Sequence, residues 1–94
     1  MTGNLGFVGT ETHNILQALG HEIFGYDIME NKDIRDGEQF ELCVREWKIN
    51  RILHLAAIAR FADADNDPLL AHETNVLGTK NVALVAAKYH IPIV

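Results

Sequence analysis

Two short runs of β-forming residues, "HEIFGYDI" (21–28) and "RILHLAA" (51–57), alternate with stretches of helical periodicity, and this alternation constrains the fold most. Each run has the length of a buried strand, and the second is apolar enough to be covered on both sides. Around them, Val8, Thr12, Ile15, Leu16 and Leu19 mark a helix over Phe7 to Leu19, with Gly20 placed to stop it. Phe40, Cys43, Val44 and Trp47 fall at i, i+3, i+4 and i+7, one face of a second helix. "NKDIRDG" (31–37) has room for at most a very short strand around Lys32 to Ile34. A polar loop is expected as far as Asp67. Asp67-Pro68 then supplies an N-cap and a first-turn proline for a third helix running to about Tyr89. "IPIV" (91–94) opens a further strand. Strands alternating with helices imply parallel pairing through right-handed crossovers, hence an α/β parallel sheet with helices on both faces.

Ninety-four residues make one domain at most, and a chain this short leaves much surface exposed. The composition is globular, with 48% apolar and 22% charged residues. A net charge of -5 argues against nucleic acid or an anionic membrane as the main partner. The single cysteine, Cys43, excludes an internal disulfide framework and fits a reducing compartment. With no apolar run of membrane-spanning length and no signal-peptide pattern, a cytoplasmic location is expected.

The chain opens on "MTGNLGFVGTE". A glycine-rich turn entering a helix presents free backbone N–H groups that favour negative charge. Gly3 would allow the tight turn, Gly6 the approach of a pyrophosphate, and Gly9 close packing of helix on sheet. Asp27 ends the next expected strand, 24 positions after Gly3, where a carboxylate can accept hydrogen bonds from an adenosine ribose. The same charge repels a 2′-phosphate, so the expected cofactor is NAD over NADP. The plainer readings are a flexible start followed by an ordinary helix, and an aspartate that caps a loop.

At this point the residues resemble a known family. "TGNLGFVG" is similar to the TGxxGxxG motif of the extended short-chain dehydrogenases/reductases, the NAD-dependent epimerase/dehydratase group. "DIRD" (33–36), "HLAA" (54–57) and "NVLGT" (75–79) match further motifs in the family's order. The resemblance runs from Thr2 to Val94 and implies a Rossmann-like domain over 1–94. It implies that Phe7 and Val8 approach the pyrophosphate through their backbone, and that Asp27 and Ile28 meet the adenosine ribose. Asp33 and Ile34 would border the adenine, and Leu55, Ala56 and Ala57 the route to the nicotinamide. Asn75 would steady the adjacent strand ends and the cofactor. Read without the resemblance, tight helix packing is the preferred account of Ala56 and Ala57, and a plain packing or surface asparagine that of Asn75.

Enzymes of this family use a Tyr-x-x-x-Lys pair, in which the lysine lowers the pKa of the proton-exchanging tyrosine. Four positions after Tyr26 stands Glu30, and four after Tyr89 stands Ile93, so no catalytic residue is assigned. Only Met1 precedes the turn, so the fold is expected to be incomplete, lacking its first strand and its C-terminal half. Facing strand edges would then be unpaired and the chain marginal, aggregation-prone or partnered, as a fragment of a longer enzyme.

Other features are set aside. "DADND" (63–67) has calcium-loop spacing, but Pro68 and Thr74 stand where glycine and glutamate are needed. The five histidines lie in separate elements, and no metal site is expected. His54 reads as a satisfied core histidine and Cys43 as a buried small hydrophobe. Arg60 is a candidate for a substrate phosphate or a surface arginine. The leading expectation is the N-terminal cofactor-binding part of an NAD-dependent nucleotide-sugar epimerase or dehydratase, for which a homodimer is a compatible assembly. The alternatives are a non-catalytic dinucleotide-binding or interaction module, and an inactive truncated product.

Overall fold

A computed structural model of the chain describes residues 1–58 and 61–94; Arg60 lies outside the described residues. Helices α1 (Phe7–Ala18), α2 (Gly37–Glu46), α3 (Phe61–Asn66), α4 (Pro68–His72) and α5 (Gly78–Lys88) are separated by extended segments and turns. Their ends follow local chemistry. Gly20, at φ +93°, turns the chain after α1. The Asp36 carboxylate caps α2 by accepting from the Gln39 N–H at 3.0 Å. Asp67 caps α4 in the same way through the Leu70 N–H at 3.0 Å, with Pro68 in the first turn. The third expected helix starts where the sequence places it, but it is not uniform. A π-helical turn, Glu73–Leu77, interrupts it between α4 and α5.

Residues 32–34 form no strand, as the expectation of at most a very short one allows; a 3₁₀ turn, Ile28–Glu30, precedes them and a turn at 34–35 follows. One expectation on loops is corrected. The supposed loop before Asp67 contains α3, whose first turn carries Asp63 at the positive end of the helix dipole.

The expected strands at 21–28, 51–57 and from Ile91 are corrected as well. No continuous strand forms among the described residues. Three isolated parallel bridges tie the extended segments together: Thr2 to Tyr26, Thr2 to His54, and Ile52 to Ile93. Their order across the molecule is the Tyr26 segment, Thr2, the His54 segment and the Ile93 segment. Met1 and Thr2 thus fill the expected gap at one end, and two residues provide one bridge on each side.

The core lies against α2 and α5, which pack on each other. It gathers Tyr26, Ile34, Phe40, Val44, Ile52, Val82, Val85 and Ala86. The Tyr26 and Phe40 rings meet edge to face at 5.1 Å, and Phe24 stacks on Trp47 at 5.4 Å. Cys43 packs half-buried against this cluster, where burial raises its thiol pKa and keeps it a poor nucleophile. By contrast, α1 buries only Gly9, and Val8 and Ile15 within it and Leu19 at its C-terminal cap are exposed. Among the described residues, no helix is long and apolar enough to cross a membrane.

Candidate functional site

The glycine turn is shaped by close approach. Gly3 sits at φ +68°, and a Cβ there would lie 2.8 Å from the Ala56 nitrogen. A Cβ on Gly9 would lie 2.0 Å from the Gly3 carbonyl oxygen. Gly9 therefore seats α1 on the turn itself, which refines the expected packing of helix on sheet. At Gly6 a Cβ would reach only ordinary contact, 3.4 Å from the Gly3 oxygen, so no neighbour within the chain demands glycine there. The first hydrogen bond entering α1 runs from the Thr10 N–H to the Gly6 carbonyl at 3.0 Å. The N–H groups of Phe7, Val8 and Gly9 have no acceptor among the described residues. The Phe7 side chain is 97% exposed, so only its backbone belongs to the turn.

Asp27 is 7% exposed and fixes this turn. One carboxylate oxygen accepts from the Leu5 N–H and the other from the Met29 N–H, each at 3.0 Å. Each oxygen keeps a further lone pair for a ligand hydroxyl. Ile28 follows in the 3₁₀ turn and is exposed. The Asp33 carboxylate is gripped by the Arg35 guanidinium and the Arg35 N–H. That hydrogen bonding holds its pKa below the usual carboxylate range. Arg35 also reaches Glu73 at 3.5 Å, linking this corner to the π-helical turn. Ile34 is 4% exposed and belongs to the core as much as to the site.

The segment from Leu55 to Ala57 approaches from the other side. The Thr2 hydroxyl oxygen accepts from the Leu55 and Ala56 N–H groups, each at 3.1 Å. Its own hydrogen therefore goes to His54 Nδ1, 2.6 Å away. This leaves the proton of the neutral ring on Nε2, which donates to the Thr79 hydroxyl at 3.0 Å. Burial lowers the His54 pKa in the same direction. His54 is thus the satisfied histidine expected from the sequence, and it ties the glycine turn to α5. Asn75 lies in the π-helical turn. Its side-chain oxygen accepts from the Ile58 N–H at 2.7 Å, and its NH₂ donates to the Ile58 carbonyl at 3.0 Å.

These groups surround a cavity of about 410 Å³. Gly3, Gly6, Asp27, Ile28, Asp33, Ile34, Leu55, Ala56 and Ala57 all line it; Phe7, Val8, Gly9 and Asn75 do not. Sequence reasoning missed Leu5, Lys32, Arg35, Ile58, Leu70 and Thr74 on its wall. Arg35 stands inside "DIRD" and could have been found there; Leu70 and Thr74 arrive from a distant helical segment and carry no local mark.

Neither tyrosine is prepared for proton transfer. Tyr26 is buried, its hydroxyl lies 3.1 Å from the Gln39 side-chain oxygen, and burial raises its pKa further. The Tyr89 hydroxyl donates to Glu41 at 2.6 Å, which also raises its pKa. Asp67 of the calcium-like segment is used as a helix cap, and no metal-binding cluster occurs among the described residues.

Residues 1–94 match the family described as the RmlD substrate binding domain. The chain belongs to that family. It falls within the extended short-chain dehydrogenases/reductases, as its relatives show. UDP-glucose 4-epimerase of Rhizobium meliloti is 28% identical over 92 residues, covering 84% of this chain and 28% of that protein. The crystal structure of the Thermus thermophilus UDP-glucose 4-epimerase complex with NAD superposes with a TM-score of 0.87 at 29% identity, covering 96% of this chain and 33% of that one. The dTDP-4-dehydrorhamnose reductase from Bacillus anthracis in complex with NADP gives 0.86 at 26% identity, covering 98% and 32%. These relatives share the α/β fold, and this chain spans about a third of their length or less.

Proposed function

We propose that this chain is the N-terminal cofactor-binding portion of an NAD-dependent nucleotide-sugar epimerase or dehydratase. In the complete protein its extended segments would belong to a doubly wound parallel sheet. The observation that carries the reading is the convergence, around one cavity, of the glycine turn, the Asp27 carboxylate and the Leu55–Ala57 segment. The residues suit a nicotinamide dinucleotide. The free N–H groups of Phe7, Val8 and Gly9 would hold the pyrophosphate, with Gly3 and Gly6 keeping side chains out of its way. Asp27, fixed by Leu5 and Met29, would accept hydrogen bonds from the ribose hydroxyls and, with Ile28, bound that end. Asp33 and Ile34 would border the adenine, and Leu55, Ala56 and Ala57 the nicotinamide side. Asn75 would act through Ile58 by holding that segment in place. When bound, the dinucleotide supplies a hydride acceptor for oxidation of a sugar hydroxyl and a hydride donor for its return.

A second reading is a non-catalytic dinucleotide-binding module. It is favoured by the two tyrosines, whose hydroxyls are engaged elsewhere with raised pKa values. Calorimetric titration with NAD and NADP tests the shared premise. NAD is expected to bind more tightly than NADP, and Asp27→Ala to weaken NAD binding by about tenfold or more while narrowing the preference. Asp27→Asn, which keeps one acceptor for the turn, separates loss of the ribose contact from loss of the fold. Unchanged affinities in both variants would exclude the ribose role of Asp27.

A further inference from the structure

One face of α5 carries Gly78, Asn81, Val82 and Val85, at the i, i+3, i+4 and i+7 spacing that brings side chains together. Val82 and Val85 enter the core, whereas Gly78 and Asn81 meet the segment 33–36. That segment is a tight turn, closed by the Asp36 N–H donating to the Asp33 carbonyl at 3.0 Å. The carbonyls of its two central residues, Ile34 and Arg35, have no partner within the turn. Asn81 Nδ2 supplies both, donating one hydrogen to each at 3.0 Å. No other donor reaches either carbonyl among the described residues. Gly78 completes the fit, because a Cβ there would clash with Ile34 Cγ2 and only a bare backbone leaves room for that side chain.

We propose that Asn81 is a positioning residue for the adenine end of the cavity and sets, through the Ile34 and Arg35 carbonyls, which base fits there. The inference rests on the cofactor reading above and adds to it a determinant of base selectivity outside the cavity wall. Asn81 does not line the cavity, whereas Asp33, Ile34 and Arg35 all do. Two hydrogen bonds from one planar amide fix the peptide planes of the turn, and the seat of Ile34 against Gly78 fixes its depth. The border they form is rigid, and a rigid border rejects a base enlarged at its edge. It also keeps the Arg35 guanidinium where it grips Asp33 and reaches Glu73. Asn81 makes no hydrogen bond to Asp27 or to the glycine turn, so its loss acts on the base and not on the ribose.

The test titrates the 94-residue protein with NAD and with its 1,N⁶-etheno analogue, whose adenine bears an added ring. The parent is expected to bind NAD about tenfold or more tightly than the analogue. Asn81→Asp keeps the shape of the side chain but removes both hydrogens, and should narrow that ratio to about threefold or less. Partial unfolding lowers both affinities alike and leaves their ratio unchanged, so the ratio separates positioning from stability. In the ligand-free protein the same substitution should accelerate hydrogen exchange at the Asp36 amide, which closes the turn, by about tenfold. Exchange at the Leu5 amide, held by Asp27, should stay as it is. Asn81→Ala, which removes the donor without adding a charge, should give the same narrowing and serves where the aspartate variant does not fold. An unchanged ratio overturns the role of Asn81, and so does an unaltered rate at Asp36. A parent that binds both dinucleotides equally overturns the base selectivity alone. A parent that binds neither overturns the cofactor reading, and this inference with it.

Discussion

At the scale of the residue, His54 makes the sharpest commitment. Two N–H donors occupy the Thr2 hydroxyl oxygen, so Nδ1 of the ring must accept, and a proton arriving there would face the Thr2 hydrogen. Burial also lowers the folded-state pKa below the ordinary 6.5. The unfolded chain therefore takes up this proton first as pH falls. The stability that neutral His54 contributes is complete above about pH 6.5 and declines below it until the folded-state pKa is passed. The urea midpoint should thus fall between pH 7.5 and pH 5.5, and His54→Gln should reduce that slope, part of the remainder belonging to the Met1 ammonium, whose pKa burial also lowers from its ordinary 8.0. An equal slope in the variant would assign the acid lability to other groups. The lowered Asp33 and Glu41 act in a lower window, below the ordinary carboxylate range, so they do not blur the measurement. The apolar run around His54 already marks it in the sequence as a core histidine. Its partners are not legible, because Thr2 and Thr79 lie 52 and 25 positions away. Asp27 is comparable: its place at the end of an extended run is visible, but its grip on Leu5 exists only once the glycine turn has folded back.

Among the elements, the π-helical turn Glu73–Leu77 departs most from what periodicity reveals. The sequence from Pro68 to Lys88 reads as one helix because a single five-residue irregularity barely disturbs a 3.6-residue pattern. The turn places Asn75 against both backbone groups of Ile58, beside the 410 Å³ cavity, and Glu73 against Arg35. Asn75→Ala should cost about 1 kcal/mol by urea denaturation, since it leaves the half-buried Ile58 N–H and carbonyl without their side-chain partner. It should also accelerate exchange of the Ile58 amide and weaken NAD binding. A variant as stable as the parent, with Ile58 still protected, would show that the turn stands without this asparagine. Helices α1 and α2 and the start of α4 were legible because caps, glycine stops and apolar spacing are local. The extended segments were legible as extended, but whether they become strands depends on neighbours. Among the described residues, Thr2 bridges to both Tyr26 and His54. Helix α3 was hidden because an aspartate-rich stretch scores as loop, although Asp63 suits a helix N-terminus.

For the molecule as a whole, compactness and coverage diverge. Its radius of gyration is 13.1 Å, close to the roughly 12 Å expected for a folded chain of this length. Yet α1 contributes nothing to the core cluster, and Val8, Ile15 and Leu19 are 60%, 52% and 70% exposed on one helical face. Leu84, Val76 and Leu77 add further exposed apolar surface. A chain that spans about a third of its solved relatives leaves surfaces that water covers poorly. Isolated in dilute buffer, it should self-associate, and sedimentation velocity should show mass above that of a single chain at micromolar concentration. Ile15→Glu discriminates between the two accounts of that surface. If α1 is uncovered within the single chain, the substitution changes stability by no more than about 0.5 kcal/mol and shifts the sedimenting species toward the monomer. If the face is covered within the chain, burying a carboxylate there costs several kcal/mol and unfolding dominates. Association that persists unchanged with Glu at position 15 would place the contact elsewhere on the molecule.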